Sequence, residues 1–144
     1  TAAATTLLAS RSEAVDLELT ESNRALVRSF VEAVLIGGNL DQLTDFVDEE
    51  AFAEHSPRLA DGVSTLRSAL AVEDPSGRRI DYQRIHRVLA EGNFVLCVSE
   101  GNYGGAHSAF YDLFRLADGK VVEHWDTTEK IAPRSEWKND NGKF

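Results

Sequence analysis

Asp112, His124 and Asp126 are the side chains of this sequence best placed to do chemistry. They stand in Phe110-Tyr111-Asp112-Leu113-Phe114-Arg115 and Val121-Val122-Glu123-His124-Trp125-Asp126, with Asp118-Gly119 between the two stretches. Side chains alternate along a strand, so Phe110, Asp112 and Phe114 share one face, and Val122, His124 and Asp126 share one face. A tight turn at Asp118-Gly119 that makes these faces coincide points two acids and a histidine into one apolar surface. Burying such groups is costly unless they are paired or have a task. In an apolar pocket Asp126 gains proton affinity by desolvation, and a like charge on Asp112 adds to it. One acid then holds a proton while the other stays ionised. Such a pair suits proton abstraction next to a carbonyl and protonation of the alkoxide that results.

Each residue also has a structural reading. Asp126 as a strand-end residue would cap the backbone near Thr127 and Thr128. Asp112 would pair with an arginine such as Arg84 or Arg115. His124 either orients the acid or is a satisfied core histidine. His55 lies in a Pro-bounded loop, where it lines the pocket rim or caps the loop. Phe30, Phe52, Phe110 and Phe114 are core or pocket lining, and the substrate-binding set expected here is His55 with these four. Trp125 alternates to the opposite face as a packing anchor. His55, His124, Asp112 and Asp126 are competent metal ligands, but no HxH or HExxH spacing accompanies them, so no metal is expected.

The elements that must position these side chains are legible. Residues 21–36 carry Leu26, Val27, Phe30, Val31, Val34 and Leu35 at helical spacing, an amphipathic helix with Thr20 as N-cap and Gly37-Gly38 as its stop. Asn39 is expected to cap a short second helix with Leu40, Leu43, Phe46 and Val47 inside. A third helix over 62–71 is capped by Asp61 and closed by Glu73-Asp74-Pro75. The pattern then changes period. Residues 80–89, 93–103, 107–117 and 120–129 read as strands joined by short Gly turns, an antiparallel meander. Helices followed by strands give an α+β fold, with the helices on one face of the sheet. Tyr111, Leu113, Val121 and Trp125 alternate onto the other face, which favours a homodimer packed through it. Trp137 and Phe144 in a polar tail suggest that the C-terminus docks, at the pocket mouth or on a second subunit.

Composition narrows the classes. The 144 residues favour a single domain, read as 20–144 behind a flexible 1–19 segment. With 24 acidic against 15 basic residues, a net charge of −9 argues against nucleic acid or an anionic membrane as the main partner. No apolar run approaches the ~20 residues that span a bilayer. Residues 1–10 lack the charged start of a signal peptide, so a frayed end is expected rather than the remnant of a leader. One cysteine, Cys97, rules out an internal disulfide and reads as a buried hydrophobe. A cytoplasmic location follows as the expectation.

The string 110–126, together with Glu54-His55-Ser56-Pro57, Asp61-Gly62 and the closing Asn139-Asp140-Asn141-Gly142-Lys143-Phe144, resembles the SnoaL-like branch of the nuclear transport factor 2-like superfamily, bacterial members in particular. The resemblance runs from about residue 21 to 144. It implies a cone in which helices sit in the concave face of a curved, mostly antiparallel sheet around a deep apolar pocket. It also implies cofactor-free chemistry, as in the polyketide cyclases of that branch, which close a ring by intramolecular aldol condensation. Their acid/base aspartate falls on Asp126 and their second polar pocket residue on Asp112. That second residue is typically a histidine in the cyclases, so this chain departs there. It departs again near Glu54 and His55, where the cyclases carry an asparagine. A small, largely apolar ligand is the expected partner, handled by a lyase or isomerase or held by a non-catalytic binder of the same fold.

Overall fold

The doubled apolar stripe folds into α1 (Thr20–Phe30), continued by a wider helical turn over Val31–Ile36. The computed structural model describes residues 12–71 and 79–144. Val27, Phe30, Val31 and Val34 are buried, and Leu26 and Leu35 pack beside them. The helix ends where Gly37 N–H bonds the Glu32 carbonyl, five residues back, and Gly38 takes a φ of 73°.

Two expected caps serve other groups. Thr20 lies inside the helix; its hydroxyl donates to the Leu17 carbonyl and accepts from the Gly92 N–H at 2.8 Å. Asn39 makes no side-chain bond to the following 3-10 turn (Leu40–Gln42); its amide donates back to the Ala33 carbonyl at 3.0 Å. Each satisfies a backbone group left open by a hairpin turn or a helix end, which outweighs local capping. A short α2 (Leu43–Phe46) and α3 (Val63–Ala71) complete the helical layer. Before α3, Asp61 Oδ1 accepts from the N–H groups of Gly62 and Glu54. The expected Glu73-Asp74-Pro75 stop lies outside the described residues.

The sheet comprises β1 (Ala53–Glu54), β2 (Ile80–Glu91), β3 (Phe94–Tyr103), β4 (Ala106–Ala117) and β5 (Lys120–Lys130), in the order β1-β5-β4-β3-β2. Strands β2 to β5 form the antiparallel meander read from the sequence. The short β1 runs parallel to β5 and was not anticipated, because two residues carry no periodicity. Asp118 and Gly119 both take positive φ, 51° and 74°, as the tight β4–β5 turn requires. The helices pack on one face of the sheet in an α+β arrangement. Phe30, Val95, Cys97, Phe114 and Leu116 belong to the shared core.

A bulge corrects one parity. Arg115 pairs with Glu123 and Leu116 with Val121, which leaves Val122 as the extra residue. Alternation resets there, so Val121 lies in the core at 0% exposure rather than on the outer face.

Within the expected flexible segment, 1–11 lie outside the described residues, while Val15 is bonded to the β2–β3 turn. Its N–H donates to Asn93 Oδ1, and the Asn93 N–H donates to its carbonyl, both at 2.9 Å. Gly92 permits this approach, since a Cβ there would stand 2.0 Å from the Val15 oxygen. The C-terminus docks on the outer face. The Phe144 ring stacks on His86 at 3.9 Å, and Lys143 pairs with Glu129 and lies over Tyr111. No described helix is long and apolar enough to cross a membrane.

Candidate active site

The β4–β5 register places Asp112 opposite Asp126 and Phe114 opposite His124. The two acids and the histidine therefore face the helical layer together, because the Val122 bulge precedes them and leaves their alternation intact.

The unanticipated β1 supplies a third acid. Its parallel register sets Glu54 opposite His124. His124 Nδ1 lies 2.8 Å from Glu54 Oε1, and His124 Nε2 lies 2.8 Å from Asp112 Oδ1. A carboxylate accepts and does not donate, so a proton on each ring nitrogen satisfies both contacts. Burial opposes the positive charge, but the hydrogen bonds and charges of Asp112 and Glu54 outweigh it and push His124 up to about 10. His124 is thus an imidazolium at neutral pH, held between two buried carboxylates. Asp112, 1% exposed, also accepts from the Tyr82 hydroxyl at 2.9 Å, and Glu54 from the Ser56 N–H at 2.9 Å. Burial, then the charge of Asp112, hold the Tyr82 phenol well above its ordinary value, so it keeps its proton.

Asp126 has a different partner. The Arg58 guanidinium, from the loop after β1, donates to Asp126 Oδ2. Arg58 also lies over the Tyr103 ring, 4.7 Å from its centroid. Burial works against the guanidinium charge, but Tyr103 and Asp126 outweigh it, and Arg58 stays ionised.

Two spaces meet at this ion pair. On one side a narrow cavity of about 30 Å³, room for about one or two water molecules, lies between helices and sheet. Its apolar wall includes Phe30, Phe52, Leu66, Leu70, Ile80 and Phe114; Tyr82, Asp112, His124 and Asp126 supply the polar side. On the other side an open groove of about 700 Å³ runs along the ends of β3 and β5, with Tyr103, Thr128 and Lys130 in its wall. Arg58 and Asp126 line both.

Other expected site residues lie elsewhere. His55 does not reach the cavity. Its ring stacks on Trp125 at 4.7 Å, and Nε2 lies 2.6 Å from Glu123 on the outer face. The reason is pairing parity: β1 places Glu54 inward, so the next residue points outward. Phe110 is 1% exposed and packs against the Tyr82 ring at 4.4 Å, behind the cavity wall rather than on it. The arginines considered for Asp112 are also elsewhere: Arg115 pairs with Glu123 at 2.7 Å, and Arg84 is exposed. Cys97 is buried, and burial pushes its thiol up to about 11, unsuited to nucleophilic work. Sequence reading missed Arg58, Tyr82 and the role of Glu54. The available signal was a charged pair, Glu54 and Arg58, bracketing Ser56-Pro57 in the loop already singled out.

Ligand atoms of Asp112, His124 and Asp126 lie within 4.8 Å of one another. Both His124 nitrogens already face carboxylates, so a metal would first have to displace a proton held up to about pH 10. The donor set fits an ion network better than a ligand shell.

No family model and no curated protein matches the chain. Solved structures do. A protein of unknown function from Burkholderia xenovorans, described as NTF-2 like, aligns at TM-score 0.62 and 22% identity over 86% of this chain and 99% of its own. The fold is nuclear transport factor 2-like. A candidate ketosteroid isomerase from Kribbella flavida aligns at TM-score 0.67 and 18% identity, over 87% of this chain and 94% of its own. A candidate SnoaL-like polyketide cyclase from a Jannaschia species aligns at 0.58 and 19%, over 77% and 88%. At such identity the nuclear transport factor 2-like fold is what is shared.

Proposed function

We propose that this protein is a cofactor-free, SnoaL-like lyase or isomerase acting on a small, largely apolar carbonyl compound, with Asp126 as the acid/base. The observation that carries the reading is the position of Asp126. It stands opposite Asp112 in the β4–β5 register, at the only residue pair shared by the cavity and the groove among the pockets described. Arg58 donates to its carboxylate and fixes its direction, as a positioned base needs. Asp126 takes the proton from the carbon beside the carbonyl. The Tyr82 O–H, which retains its proton, turns to the oxyanion, and His124 supplies positive charge behind it. Asp126 then returns the proton, to another carbon in an isomerisation or to the new alkoxide in an aldol closure. The structural likeness to candidate isomerases and cyclases is consistent with this kind of chemistry.

One observation favours a second reading, a binding protein without turnover: Asp112 and Asp126 are each already compensated by a cation. Asp126→Asn separates the two. With a carbonyl substrate found by thermal-shift screening, the acid/base reading expects turnover to fall by about 10²–10⁴-fold with ligand affinity kept. Full activity in that variant would remove Asp126 from the chemistry. We further propose a homodimer through the outer sheet face, where Phe94, Leu96, Leu113 and Trp125 remain partly exposed.

A further inference from the structure

The buried side-chain polar atoms without a hydrogen-bond partner among the described residues are Ser56 Oγ, Arg58 Nη1 and Thr128 Oγ1. All of them lie on the two segments that flank Asp126: the loop after β1 and the end of β5. Leaving a buried donor without a partner is costly, most of all for a charged group. Clustering at one place points to a ligand group that completes them. Arg58 and Thr128 line the open groove, where Lys130 stands as well. Around that groove two cations face one acid, in a chain whose net charge is −9. The local balance therefore selects an anion, and a guanidinium with a spare nitrogen selects an oxygen acceptor, best a carboxylate.

We propose that the groove binds the carboxylate of the substrate, through Arg58 Nη1, the Thr128 hydroxyl and Lys130, while the apolar end points past Asp126 toward the apolar wall beyond it. The substrate class becomes an apolar carboxylic acid that also bears a carbonyl. The proposal rests on the acid/base reading for the second of these features only. One guanidinium then has two tasks: Nη2 aligns the base and Nη1 anchors the molecule on which it acts. The apolar wall and the anchoring groove lie on opposite sides of Asp126, so a molecule anchored in the groove and directed at that wall presents its middle carbons to that carboxylate.

The test uses 3-phenylpropionate and its neutral amide as matched probes, titrated into isotope-labelled full-length protein and followed by backbone amide shifts. The acid is expected to bind about tenfold more tightly than the amide, with shifts at Thr127, Thr128 and Lys130. That advantage is expected to shrink to near unity in Arg58→Gln, to fall by a few fold in Lys130→Gln, and to weaken as salt rises. Lys130→Gln touches no packed core, so it decides the matter if Arg58→Gln does not fold. Equal binding of acid and amide, no binding of the acid at millimolar concentration, or shifts confined elsewhere would each overturn the proposal. Binding is read without turnover, so loss of the carboxylate preference leaves the role of Asp126 to its own variant.

Discussion

Asp112 and Asp126 stand directly opposite each other on β4 and β5, yet different cations hold them. His124 is bonded to Asp112, and Arg58 is bonded to Asp126. Mutual repulsion between the acids is therefore not the dominant electrostatic fact of the site. Compensation is. Asp112 belongs to a buried relay, Glu54–His124–Asp112–Tyr82, and Asp126 to a surface-linked pair. The relay is anchored on four strands, whereas the pair joins a strand to a loop, so the first is positioned rigidly and the second can exchange partners with a ligand.

The relay makes stability depend on pH in a defined direction. His124 is raised to about 10 in the folded protein from an ordinary 6.5, so the native state holds a proton that the unfolded chain releases. Its contribution is complete below about pH 6.5 and is lost as pH rises through about 10. Unfolding free energy from urea titrations is expected to fall over that window by up to about 1.4 kcal/mol per pH unit. His124→Gln removes the slope and destabilises by about 3–5 kcal/mol at neutral pH, because it leaves two buried carboxylates without a cation. A stability profile of the wild type that is flat from pH 7 to 10 would show that His124 is not held as an imidazolium.

Tyr82→Phe isolates the other end of the relay. The ring stays packed on Phe110, and only the hydroxyl that donates to Asp112 is lost. A cost of about 1–3 kcal/mol in unfolding free energy is expected, since a buried carboxylate loses a donor. Turnover is expected to drop together with kcat/KM, by about 10²–10³-fold, if the hydroxyl stabilises the oxyanion. Stability lost with turnover unchanged would confine Tyr82 to holding Asp112.

The parts legible in the sequence were those with a period. The doubled stripe of α1 and the alternation of β2 to β5 specified the layers, and alternation alone placed Asp112, His124 and Asp126 on one face. What stayed hidden depended on pairings without a local signature. The two-residue β1 decides that Glu54 points inward and His55 outward, and nothing in a two-residue stretch announces it. The bulge at Val122 turned Val121 inward. Arg58 reaches Asp126 from a loop 68 positions away in the chain, a contact that only the fold creates.

His55→Ala follows from that correction. His55 stacks on Trp125 and bonds Glu123, away from the cavity. Its loss is expected to cost about 1 kcal/mol, the size of one side-chain hydrogen bond, and to leave probe affinity and the amide shifts of Asp112 and Asp126 unchanged. A change of several fold in probe binding would return His55 to the site.

The proposed dimer is tested by Leu113→Lys. Leu113 sits between Leu96 and Trp125 in the β3–β4–β5 register, at the centre of the outer face. The C-terminal tail covers Tyr111 and His86 nearby, while Phe94, Leu113 and Trp125 stay partly exposed. A lysine on a two-fold interface meets its own copy or apolar neighbours, and burying that charge costs more than a marginal interface supplies. Sedimentation velocity is expected to show a dimer for the wild type and a monomer for Leu113→Lys, with the relay and its pH profile intact. A wild type that sediments as a monomer at high micromolar concentration would sink the dimer, and Leu113, Phe94 and Trp125 would then be ordinary exposed hydrophobes on a solvated sheet.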